Sequence, residues 1–230
     1  MTRDEFCKYH WNYYMALEKD FLGIERYLTF DLGDNNSYDE KKKIKYFGNS
    51  KAFSVEFIKQ YQTICSEVDV IFKTICKDLK NEDAKEMEDY TKTILANTYW
   101  LGVVSQKVLM RDVKLQPFFG WQNEPYKAIS WWSTYNYVKH RRLNNFRNAN
   151  LKNVINALAG LYILEMYYLK SVVKENEMDI PDRESELFAL DNWETRFISK
   201  NGLMLKVTGE DEFSFGVNGR VQNIDGGELE

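Results

Sequence analysis

The sequence predicts a mainly α fold: a helical bundle with short β pieces. Apolar residues recur at three- and four-residue spacing over long stretches, and only 3 Pro and 12 Gly interrupt 230 residues. One run, ALAGLYIL at 157–164, is apolar on every side, as the central helix of a bundle must be. Apolar residues make up 44% of the chain and aromatics 15%, so whole-chain disorder is excluded. The length suits one substantial domain, or one domain with a small appendage.

The elements follow in order. Phe6, Tyr9, Tyr13, Leu17, Phe21, Ile24 and Leu28 form one stripe, which predicts a helix over residues 4–29. Turn formers and a Lys run then make 31–50 a loop or short irregular excursion. Ser54 is set to cap the clearest helix, whose stripe runs from Ile58 through Tyr61, Ile64, Val68, Ile71 and Ile75 to Leu79. Glu56, Lys59, Gln62, Glu67, Asp69, Lys73 and Lys77 are assigned to its solvated side. A shorter helix is expected over 86–97, and alternation in KVLMRDVKLQP predicts a strand or extended loop near 107–116. Helix returns at Ser130, breaks near 144–148, and resumes after a cap at Asn148 or Asn150 to about residue 174. Ala157, Ala159 and Gly160 should let another helix come close. Residues 1–175 thus read as the bundle, with its core starting near residue 53. Residues 176–200 read as an acidic, solvated linker, and 201–230 as a small hairpin (near 203–217) with a flexible tail.

Composition removes several function classes. Lys+Arg is 31 and Asp+Glu is 35, a net charge of -4, which argues against wholesale coating of nucleic acid or acidic membranes. His10 and His140 cannot build a three-His zinc site, and Cys7, Cys65 and Cys76 contain no CxxC pair, so no metal and no cofactor is assigned. On one helix Cys65 and Cys76 lie ~16 Å apart, too far for a disulfide. Three thiols without a framework predict a reducing, cytoplasmic setting. The charged N-terminus lacks a signal-peptide core, and no run reaches the ~18 apolar residues of a span. Signatures for nucleotide loops, hydrolase elbows and zincins are missing from the sequence.

The segment WWSTYNYVKHRRLNNFR, 131–147, concentrates the remaining chemistry. On a helix Asn136 lies one turn below His140, where an amide can orient an imidazole. Lys139, Arg141, Arg142 and Arg147 surround them, a setting able to hold a phosphate beside a proton-transfer group. Trp131, Trp132 and Tyr135, with Trp121, are candidate interface anchors or base-stacking platforms. By residue type alone, a histidine among Lys and Arg is first a polar helix face.

The YNxVKH element, opening a helix just before a long Ala/Leu-rich one, resembles the HEPN superfamily, and most closely its divergent phage-associated or abortive-infection-like members. The resemblance spans roughly residues 53–174. It implies an all-α bundle, a homodimer with a composite site, and a metal-independent ribonuclease. His140 matches the family histidine and Asn136 its polar residue, whereas Tyr135 stands where the family carries Arg. The expectation is an RNA-directed protein, a toxin or phage-defence effector. The alternatives are a catalytically degenerate module that binds a cognate protein partner, and a mobile-element protein without enzymatic role.

Overall fold

The computed structural model describes residues 1–33, 48–174 and 177–195 in full and, as backbone strands, 37–39, 44–46, 196–198, 204–207, 213–217 and 220–223. The chain is mainly helical, with short antiparallel strands. Helix α1 (Arg3–Phe6) runs through a π turn, Cys7–Trp11, into α2 (Asn12–Ile24). The Asn12 N–H reaches back five residues to the Cys7 carbonyl, so the turn is one residue wider than α. That insertion rephases the predicted stripe. Phe6, Leu17 and Phe21 are buried as expected, but Tyr9 is 61% and Tyr13 42% exposed, while His10, Trp11 and Tyr14 turn inward.

The segment predicted as a loop contains two paired strands, β1 (Ser37–Asp39) and β2 (Ile44–Tyr46). Helix α3 (Val55–Asp78) starts where expected, with Ser54 Oγ accepting the Phe57 N–H at 3.0 Å. Helix α4 (Met87–Leu95) is followed by α5 (Thr98–Ser105), whose cap Asn97 accepts the N–H groups of Tyr99 and Trp100. The hairpin β3 (Val108–Met110) and β4 (Val113–Leu115) occupies the predicted stretch. Then come α6 (Ser130–His140), the single turn α7 (Arg142–Asn145), and α8 (Leu151–Val172), capped by Asn150 at the Asn153 N–H.

Helix α8 is the axis of the bundle: α3 packs along it, and α1, α2, α5 and α6 also touch it. Its residues 157–169 are all buried, including Gly160 and Glu165. A Cβ on Gly160 would lie 2.8 Å from Trp131 Cζ2, so the absence of a side chain there is what seats the α6 indole. Glycine inside a helix costs ~1 kcal/mol relative to Ala. Burying the large Trp131 ring, which also donates Nε1–H to the Pro117 carbonyl at 2.9 Å, offsets it.

The segment after α8 is not the solvated linker its acids suggested. Asp179, Pro181, Leu187 and Phe188 are buried. Arg3 donates to the carbonyls of Met178 (2.9 Å) and Ile180 (2.8 Å) and to Asp182 (2.8 Å). Trp11 Nε1–H donates to the Arg183 carbonyl at 2.8 Å. Residues 177–188 therefore form a strap over the N-terminal helix. It ends in β5 (Ala189–Leu190), which joins β3 to make the order β4-β3-β5. Beyond it β6 (Thr195–Ile198), β7 (Met204–Val207), β8 (Phe213–Val217) and β9 (Arg220–Asn223) form a four-stranded antiparallel sheet. The predicted hairpin is its β7–β8 pair. The expected tail is partly strand, and 224–230 lie outside the described residues.

Candidate functional site

The predicted motif lands on a cleft of about 720 Å³ between α3, the start of α4 and α6. Asn136, Lys139 and His140 line the α6 wall, with Trp132 and Tyr135 behind them. Ser66, Asp69 and Lys73 come from α3, and Lys85 to Glu88 with Tyr126 complete the rim. The i, i+3, i+4 spacing of Trp132, Tyr135, Asn136, Lys139 and His140 puts them on one helical face. Asn136 and His140 share that wall, but no hydrogen bond joins them, so the amide does not orient the ring directly.

The cleft's charges balance: Lys73, Lys85 and Lys139 face Asp69, Glu86 and Glu88. Several are already committed. Lys73 pairs with Asp69, which also accepts the Tyr90 hydroxyl at 2.8 Å, and Glu88 pairs with Lys92 at 2.7 Å. Lys85 and Lys139 make no salt bridge among the described residues, and Lys139 Nζ sits 5.7 Å from the Tyr135 ring centre. Burial pushes the Tyr135 phenol up to about 12, so it faces the cleft neutral.

Other sequence expectations divide. Arg141 and Arg142 are exposed beyond the end of α6 and do not line the cleft, and Arg147 stacks over Phe53, 5.5 Å from its centre. Of the four predicted cations only Lys139 reaches the site, because α6 stops at His140 and the chain turns away. Trp121 and Trp131 are core residues, 2% and 1% exposed, and cannot anchor an interface. Trp132 and Tyr135 are buried too and offer the cleft only an edge, whereas Tyr126, which the sequence did not single out, is 42% exposed at its rim.

A second polar cluster has no motif to announce it. His10 on the π turn, Glu67 on α3 and Glu165 on α8 bring one donor atom each within 4.8 Å of the others. His10 Nδ1 lies 3.4 Å from Glu67 Oε1 and 4.0 Å from Glu165 Oε1. Glu67, assigned above to solvent, is instead buried, because its place three residues after Ile64 and one before Val68 turns it inward. Burial, and secondarily the charge of Glu67, pushes the Glu165 carboxyl well above the ordinary carboxylate range. The legible signals were an acid directly after ALAGLYIL and a histidine four residues from both Phe6 and Tyr14. Excluding metal sites by counting His and Cys leaves the carboxylates out of account.

No family model matches the chain, and no curated protein and no solved structure matches it. No helix among the described residues is long and apolar enough to cross a membrane.

Proposed function

We propose that the α3–α4–α6 cleft is the site of an RNA-directed protein that cleaves single-stranded RNA without a metal, in the manner of HEPN-like toxins or defence effectors. One observation carries the reading: His140, Asn136 and Lys139 share a wall of the cleft, with Lys85 and the exposed Tyr126 ring at its rim. A phosphate between Lys85 and Lys139 puts the scissile group beside His140, and Tyr126 supplies a face for a base. The RNA 2′-OH attacks the adjacent phosphorus and the 5′-oxygen leaves. His140 exchanges a proton with one of these oxygens, and a lining carboxylate such as Glu86 serves the other. The two lysines balance charge on the phosphate oxygens.

A second reading, a degenerate module that binds a cognate protein, is favoured by Tyr135, which leaves the cleft lining without any arginine. Cleavage of a short labelled RNA separates the two. His140→Ala should lower the rate ~100- to 10,000-fold. Its melting temperature should stay unchanged, because His140 is exposed. One phosphate held between Lys85 and Lys139 gives a salt slope of about -0.7, whereas engagement of the three outlying arginines steepens it to about -3. No cleavage by the wild type, or cleavage that survives His140→Ala, rejects the catalytic reading.

A further inference from the structure

The fold holds two buried acids in opposite ways. Glu18, 1% exposed, is fully served: Tyr14 and Ser185 hydroxyls and the N–H groups of Glu186 and Leu187 all donate to its carboxylate. Glu165 is wholly buried, and no donor among the described residues reaches either of its oxygens. His10 Nδ1, on a residue 7% exposed and aimed at Glu67 and Glu165, has no hydrogen-bond partner among them either. The surroundings are dry. Phe6 stacks on the imidazole at 5.9 Å, and the Tyr168 ring centre lies 6.2 Å away. Both acids and the imidazole face one another there, and the buried polar atoms of Glu165 and His10 lack the partner that burial requires.

We propose that His10, Glu67 and Glu165 form a buried site for one divalent first-row transition ion that joins three helices. A divalent ion with two carboxylates and a neutral imidazole is electrically neutral, and it gives the orphaned oxygens a partner. Bonds of ~2.0–2.2 Å to nitrogen and oxygen separate neighbouring ligands by roughly 3–3.5 Å. The observed 3.4 and 4.0 Å lie close to that range, and with all three donors within 4.8 Å of one another the side chains draw in around the ion as it binds. One imidazole and two carboxylates, with no thiolate, suit Zn²⁺, Mn²⁺ or Fe²⁺. Ca²⁺ prefers six to eight oxygens. The ligands come from the N-terminal π turn, from α3 and from α8, so the ion acts as a clamp and its binding is coupled to folding.

The test uses the full chain, stripped with a chelator and then given Zn²⁺ or Mn²⁺ alone. One equivalent should bind. The melting temperature should rise by about 5–10 °C at a hundredfold excess over Kd. Glu165→Gln and His10→Gln should lose that rise, whereas His140→Ala, in the RNA cleft, should keep it. Should the core variants fail to fold, Co²⁺ added to the wild type carries the test through its visible absorption, which reports nitrogen and oxygen ligation. Failure of any of these ions to bind overturns the proposal. So does a shift that persists in a folded Glu165→Gln. A wild type that binds no ion while Glu165→Leu melts higher marks a proton-bridged polar cluster instead.

Discussion

At the scale of single residues, two glycines in helices call for opposite outcomes. Gly160→Ala pushes a methyl group into Trp131 Cζ2, and the indole cannot yield because its Nε1–H is held by Pro117. The expected cost is ~1–3 kcal/mol, read as a lower urea midpoint. Gly23, inside α2, has open space on its side-chain face, with no atom within 4 Å of the place a Cβ would take, so Gly23→Ala should stabilise by ~0.5–1 kcal/mol. Equal shifts in the same direction would contradict the packing described for α6 on α8. The small residues at 157–160 were legible as a close approach, and so was the shared face of Asn136 and His140. His10 and Glu165 were legible only singly, each as one polar residue in an apolar stripe, and pairing them requires knowing that the N-terminal helix and α8 meet.

At the scale of elements, the strap shows what composition misses. Asp182, Glu184 and Glu186 do face water, as a linker's acids should. Apart from Asp182, which Arg3 holds, the segment is fixed by its backbone carbonyls and N–H groups, by Ser185, and by the buried Leu187 and Phe188. None of those partnerships has a sequence signature. Glu18→Ala leaves two strap N–H groups and two hydroxyls without their acceptor, at a cost of ~1–3 kcal/mol or more. The exposed Arg183 should then become a trypsin site, cut slowly in the wild type and quickly in the variant. Equal rates would mean that the carboxylate does not hold the strap. The π turn was equally hidden. A stripe counted at α spacing picks Tyr9 and Tyr13, and the extra residue gives the inward places to His10, Trp11 and Tyr14.

For the whole molecule, periodicity was enough to give the bundle, because burial of an apolar face dominates its energetics. Ser54 was legible as the α3 cap and Asn150 as one of two for α8, while 107–116 read as a strand or extended loop without its fold into the β3–β4 hairpin. That same dry interior sets a pH limit. Burial raises the Cys76 thiol from 9.0 to about 11 and the Tyr135 phenol from 10.0 to about 12, and it also pushes Cys65 and Tyr61 well above their ordinary values. The folded chain keeps these protons after the unfolded chain has lost them. Their contribution to stability is complete below pH 9 and is lost as pH rises through 11 and 12. The urea midpoint should be level from pH 7 to about 8.5 and then fall steadily. A midpoint unchanged at about pH 11 would contradict the burial of these groups.

The strap also sets the order of events on a growing chain. Arg3 meets Met178 across 175 residues, Trp11 meets Arg183 across 172, and Glu18 meets Glu186 across 168. The N-terminal helix is thus completed by a segment made about 170 residues later. Until the strap is made, the Trp11 indole lacks its acceptor and Glu18 keeps only the Tyr14 hydroxyl, and closing so long a loop is slow. The helix can pack on α3 and α8 earlier, but its strap contacts wait for residue 188, and a nascent chain shielded from wrong contacts until then has the best route to the native bundle.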